Sequence, residues 1–198
     1  MQFLALAASV LSLLAAPASA APADPPVIAA DARFNLISLR TGHKAHLQFV
    51  QAANHGLSLH LPAQNATCEG GAEDPEMATF FLRDGGLFLE SPRATPQQVF
   101  VMRSAMGQGQ VAYSTGNQTA WRNSERTTFR LDNINNLMFN DVTFLACPPR
   151  GGQANEPAGS FSIWVRAGVD EPQGHRNCVS VSLRASQAKK PVTCLYAA

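Results

Sequence analysis

Leu57-Ser58-Leu59-His60-Leu61 alternates apolar and polar residues, so Leu57, Leu59 and Leu61 fall on one face of a half-buried strand. The turn former Asn54-His55-Gly56 precedes this stretch and Pro62 stops it. Working outward, the same short pattern predicts strands over Phe34–Leu39, His46–Val50, Thr79–Leu82, Leu87–Glu90, Val99–Met102 and Val111–Tyr113. It recurs over Thr127–Leu131, Leu137–Phe139, Val142–Ala146, Phe161–Ala167 and Val179–Arg184. Asp84-Gly85-Gly86, Gly107-Gln108-Gly109, Asn133 to Asn136 and Gly151-Gly152 supply the turns. Apolar residues nowhere recur at helical spacing over three turns. The expected fold is all-β: a single β-sandwich or barrel-like domain, with a β-trefoil as the alternative. Gly56 to Pro62 is echoed by Gly86 to Pro92, each with a glycine, two alternating leucines and a proline. A turn, strand and stop produce such an echo without a true repeat, and Gly109 to Tyr113 is a poor third copy for a trefoil.

The chain has 198 residues, 45% hydrophobic and 15% charged, with 15 basic and 14 acidic residues for a net charge of +1. No basic block occurs, which argues against nucleic acid as a partner, because phosphate binding needs clustered Lys and Arg. The apolar content and low net charge exclude a disordered chain. Met1 to Ala20 reads as a secretory signal peptide: an uncharged apolar run from Phe3 to Ala16, then Pro17 and the small residues Ala18 and Ala20, with cleavage after Ala20. The apolar run spans only about 21 Å as a helix, short of the roughly 30 Å of a bilayer core. No membrane partner is expected once it is removed. Residues 21–33, beginning APADPPVIAA, form an extended leader outside the core, and residues 34–198 form the single domain.

Asn65-Ala66-Thr67 and Asn117-Gln118-Thr119 fit the N-glycosylation sequon, marking Asn65 and Asn117 as glycan acceptors in an exported chain. Cys68, Cys147, Cys178 and Cys194 are an even set for an oxidising compartment, so two disulfides are expected. Three pairings are open to four cysteines and spacing does not choose. We favour Cys147–Cys178 with Cys68–Cys194, which close loops worth roughly 3–4 and about 5 kcal/mol on the chain-entropy model.

No catalytic or cofactor signature emerges. GxSxG and HExxH are missing, and no two cysteines lie within zinc-knuckle spacing. His43, His46, His55 and His60 are close in sequence, but in a strand from His46 to Val50 the His46 side chain shares the polar face with Gln48, a solvated surface. An oxidative polysaccharide-cleaving enzyme would begin with histidine, whereas cleavage after Ala20 exposes Ala21. The acidic stretch Glu69 to Glu76 lacks the ligand spacing of a calcium loop and reads as solvated. Trp121, Trp164, Tyr113 and Tyr196 are the residues that can stack on sugar rings, with core packing the favoured role for Trp164.

Phe34-Asn35-Leu36-Ile37-Ser38-Leu39-Arg40-Thr41-Gly42 through His46-Leu47, following a signal and a short leader, resembles the opening of the fungal phialide-associated cell-wall proteins, the PhiA-like family. Gly56, Leu57 to Leu61 and Cys68 resemble that family's next glycine, strand and cysteine. Phe144-Leu145-Ala146-Cys147-Pro148, Phe161-Ser162-Ile163-Trp164-Val165 and Asn177-Cys178-Val179 resemble its later anchors. The chain departs from the pattern in having no second cysteine soon after Cys68 and in placing Cys194 on a tail beyond the usual end. The resemblance favours Cys147–Cys178. It implies a secreted, wall-associated glycoprotein linked to phialide and conidium formation, with no catalytic residues to carry over; no cofactor is expected, and the few charges and many Asn, Gln, Ser and Thr suit wall polysaccharide or wall proteins as partners. The alternative is a secreted effector or inhibitor that binds a protein or glycan partner.

Overall fold

The computed structural model describes residues 27–29, 31–71, 75–116, 118, 121–151 and 158–197. The signal peptide and most of the leader lie outside the described residues. The chain forms β1 (Phe34–Leu39), β2 (Gln48–Ala53), β3 (Gly56–Leu59), β4 (Thr67–Cys68) and β5 (Thr79–Arg83). Then come β6 (Gly86–Leu89), β7 (Gln97–Met102), β8 (Gln110–Thr115), β9 (Ser124–Glu125) and β10 (Phe129–Leu131). The last five are β11 (Asn136–Phe139), β12 (Phe144–Cys147), β13 (Phe161–Val165), β14 (Val179–Gln187) and β15 (Cys194–Leu195).

The sheet closes on itself: antiparallel pairing runs β1-β5-β6-β7-β8-β3-β13-β12-β14 and returns to β1 through the six-residue register Phe34↔Gln187 to Leu39↔Ser182. Closure decides against a sandwich, whose two sheets would each keep free edges. The pairings also carry a threefold pattern. Units begin at Phe34, Gly86 and Asn136, roughly fifty residues apart, and each contributes one hairpin: β2–β3, β7–β8 and β12–β13. The second strands of these hairpins meet one another, at Gly56↔Ala112, Trp164↔Gln110 and Ser162↔Ser58. Six further strands, β1, β5, β6, β10, β11 and β14, form the wall beneath, with Phe129 N–H to the Gly85 carbonyl (2.9 Å) joining the β5–β6 turn to β10. This is the trefoil arrangement of a closed barrel. The leucine echo at Gly56 and Gly86 is not the repeat, because β3 is a hairpin strand and β6 a wall strand.

Alternation places the core. Leu57 and Leu59 on β3, Leu87 and Leu89 on β6, Val99 and Val101 on β7, Val111 and Tyr113 on β8, and Val181, Leu183 and Ala185 on β14 all enter one buried cluster. Several element ends differ from the sequence reading. His46 sits in a turn before β2, where its Nδ1 accepts the Arg40 N–H at 3.0 Å. The strand containing Leu57 ends at Leu59, because His60 adopts φ 59° and Leu61 turns to hydrogen bond with Gln51. Ile28 of the leader packs against the core, its N–H held by Asn135 Oδ1 at 3.0 Å. Two-residue strands such as β4, β9 and β15 are too short to leave a sequence pattern.

Candidate functional site

Two cystines fix the frame on which any surface site is displayed. Cys68 pairs with Cys194, joining β4 to β15, and Cys147 pairs with Cys178, joining the end of β12 to the approach to β14. The first holds a C-terminal plug in the barrel mouth. Tyr196 Oη accepts the Thr79 N–H (3.0 Å), and buried Gln97 clamps the Tyr196 backbone through Oε1 (3.0 Å) and Nε2 (2.9 Å). Tyr113 donates its hydroxyl to the Ala197 carbonyl, and burial pushes its phenol well above the ordinary tyrosine range. Tyr113 and Tyr196 are thus core residues and cannot stack on an external ligand.

Trp164 is also withdrawn from solvent. Its indole N–H donates to Ser162 Oγ (2.8 Å), its edge meets His175, and it packs with Leu145, Cys147 and Cys178 in a satellite cluster outside the barrel. The histidines do not converge: among the described residues no three His, Cys, Asp or Glu side chains are grouped to hold a metal ion. His43 meets the edge of Phe161, and His55 leans on Tyr113. Several of the described carboxylates are engaged within the fold. Glu90 pairs with Arg33 (2.7 Å), Asp141 with Arg130 (2.6 Å), Asp170 with Arg166 (3.0 Å) and Glu125 with Arg103 (3.4 Å).

Two aromatic features stand out on the surface among the described residues. Phe81 and Phe88 stack at 5.3 Å, with Arg33 over Phe81 and Arg83 over Phe88, so guanidinium groups cover them. Trp121 is different: it is 50% exposed and meets buried Phe100 edge-on at 5.7 Å. Together with His55, Phe100, Tyr113, Ser114 and Gln118 it lines a hollow of about 180 Å³. Hydrogen bonds tie part of its lining to the β7–β8 hairpin. The His55 carbonyl accepts the Tyr113 N–H (2.9 Å), Gln118 Oε1 accepts the Thr115 N–H (3.0 Å), and Arg126 donates to Ser114 Oγ (3.0 Å) and Gln98 Oε1 (2.8 Å). Arg126 also lies over Phe100, and partial burial lowers its pKa without displacing its charge at neutral pH. Sequence reasoning named Trp121 but missed Phe100 and Arg126, whose outward placement on or beside the β7–β8 hairpin has no motif.

Asn65 is exposed, with φ 53°, beside β4 and its cystine, and Thr67 is exposed with it. Asn117 lies outside the described residues.

A family model described as "PhiA-like secreted protein" matches residues 34–197. Cys194 therefore lies within the span of the family and not on a tail beyond it. "Cell wall protein phiA" of Aspergillus fumigatus is 39% identical over 182 residues, 92% of each chain. The proteins of the same name from Emericella nidulans and Aspergillus niger are 38% and 37% identical, over 94% of this chain and 94% and 96% of theirs. No solved structure matches. With the match running from the first strand of the barrel to its C-terminal plug, the chain belongs to the PhiA-like secreted protein family.

Proposed function

We propose that this secreted cell-wall protein is non-enzymatic and glycosylated at Asn65 and Asn117, and that it acts through surface contacts with wall polysaccharide or wall proteins during phialide and conidium formation. The observation that carries the reading is the use of its carboxylates. Four form ion pairs with arginines, and Asp132 and Glu171 accept backbone N–H groups. A glycosidase instead needs two carboxyl groups facing each other across a cleft. The wall location of its relatives and the abundance of neutral amide and hydroxyl groups support contact with sugars. The mature protein should co-sediment with isolated fungal walls and release no reducing sugar from β-glucan or chitin. Release that a single carboxylate substitution abolishes would overturn the non-enzymatic reading. A strain lacking the protein but forming normal phialides and conidia would overturn the developmental part.

A further inference from the structure

We infer that the hollow beside Trp121 is a binding site for one pyranose unit of an uncharged wall polysaccharide. The inference rests on the proposed wall contact and locates it. Three observations converge. A half-exposed indole is braced by Phe100, so an apolar plate is presented without a large ordering cost on binding. The groups lining the hollow beside the plate, Ser114, Gln118 and His55, are a hydroxyl, an amide and an imidazole, able to donate and accept hydrogen bonds, and the neighbouring Arg126 guanidinium is already engaged by Ser114, Gln98 and the Phe100 ring. The hollow, at about 180 Å³, is smaller than the roughly 300 Å³ at which pockets begin to enclose drug-sized ligands, so it takes one ring and leaves a chain to run across the surface.

The Phe81–Phe88 pair offers no such plate, since Arg33 and Arg83 lie over those rings. Among the described residues no cation lies over Trp121. The indole gives the apolar carbohydrate face a partner, while its neighbours meet the equatorial hydroxyls.

The test uses the full mature protein, soluble β-1,3-glucan and chitin oligosaccharides as probes, and deproteinised wall as a solid phase. Trp164 is buried, so a saccharide-dependent change in tryptophan emission reports on Trp121. Trp121→Ala should bind at least about tenfold more weakly, as truncation of an aromatic anchor does, and Trp121→Phe should recover part of the loss, with circular dichroism unchanged in both. Equal binding by wild type and Trp121→Ala would overturn this site while leaving wall contact in place. Retention on native wall but not on deproteinised wall would mean a protein partner and overturn the saccharide. Failure of the wild type to bind any wall fraction would overturn the proposed function itself.

Discussion

Gly109 stands where two of the three hairpins touch. Its φ of +91° suits glycine, its N–H donates to the Met102 carbonyl (2.8 Å), and its own carbonyl accepts the Val165 N–H (2.8 Å). A Cβ there would collide with the Val165 carbonyl oxygen, a backbone atom that can withdraw only by breaking the junction. Gly109→Ala should therefore cost about 3 kcal/mol or more in urea unfolding. Gly168→Ala, also at positive φ but with open space around it, should cost only about 1 kcal/mol. Equal costs would show that backbone strain alone, and not close approach, sets the penalty. Asp132 is a second decisive residue. Burial raises its pKa, but the Asn136 N–H (2.7 Å), the Asn136 amide (2.9 Å), the Ile134 N–H (3.0 Å) and the charge of Arg184 outweigh it and hold the carboxyl below its usual value. A depressed pKa stabilises the fold above the unfolded value and loses that contribution as pH falls through the folded one. Stability should thus decline below about pH 4, and Asp132→Asn should be roughly 1–2 kcal/mol less stable at neutral pH with a shallower acid decline. An unchanged acid slope, read by unfolding at pH 7 and pH 3, would remove Asp132 from that role.

At the scale of elements, strands were legible wherever alternation ran for four or more residues and a turn former followed. Asn54-His55, Asp84-Gly85 and Asn140-Asp141 all take positive φ at both central positions, the turn that two-residue hairpins require. Beyond the favoured Cys68–Cys194 pairing, the sequence did not announce the C-terminal plug. Cys194 and Tyr196 lie in a stretch with no periodicity, and their burial depends on Gln97, a polar residue at the start of β7 that is fully enclosed. Polar residues ordinarily mark the outside of a strand, so Gln97 reads as surface until its partner is known. The candidate saccharide site was half legible for a related reason. The strand around Trp164 already favoured packing for it, and the satellite cluster around Cys147–Cys178 is what hides it, whereas nothing in the sequence near Trp121 marks its neighbours. Gln97→Ala deletes both hydrogen bonds to the Tyr196 backbone and opens a void, and should destabilise the chain by about 2–4 kcal/mol. Hydrogen exchange should rise at Tyr196 and Thr79 before it rises on β14. Uniform exchange across the molecule would mean the plug does not open separately.

For the whole molecule, the scarcity of charge and the closed barrel shift the question of stability to topology. Three of the four described ion pairs have exposed partners and contribute little each, and only Arg33–Glu90 is partly buried. The two cystines differ in reach: Cys68–Cys194 spans 126 residues and ties the first unit to the chain's end, whereas Cys147–Cys178 spans 31 within the third. Loop-closure entropy alone ranks them at about 5 and about 4 kcal/mol, a gap too small to separate on its own. The plug widens it. Without the longer cystine, the chain after β14 is held by the short β4–β15 pairing, a few backbone hydrogen bonds and the contacts of Tyr196, and opening it exposes the barrel mouth where Tyr113 and Thr79 are buried. Cys68→Ser with Cys194→Ser should therefore lower the urea midpoint clearly more than Cys147→Ser with Cys178→Ser, and proteolysis of the first variant should begin at the C-terminus. The reverse ranking would place the larger share of stability in the satellite cluster of Leu145, Trp164 and Cys178, making the third hairpin, and not barrel closure, the part of the fold that fails first.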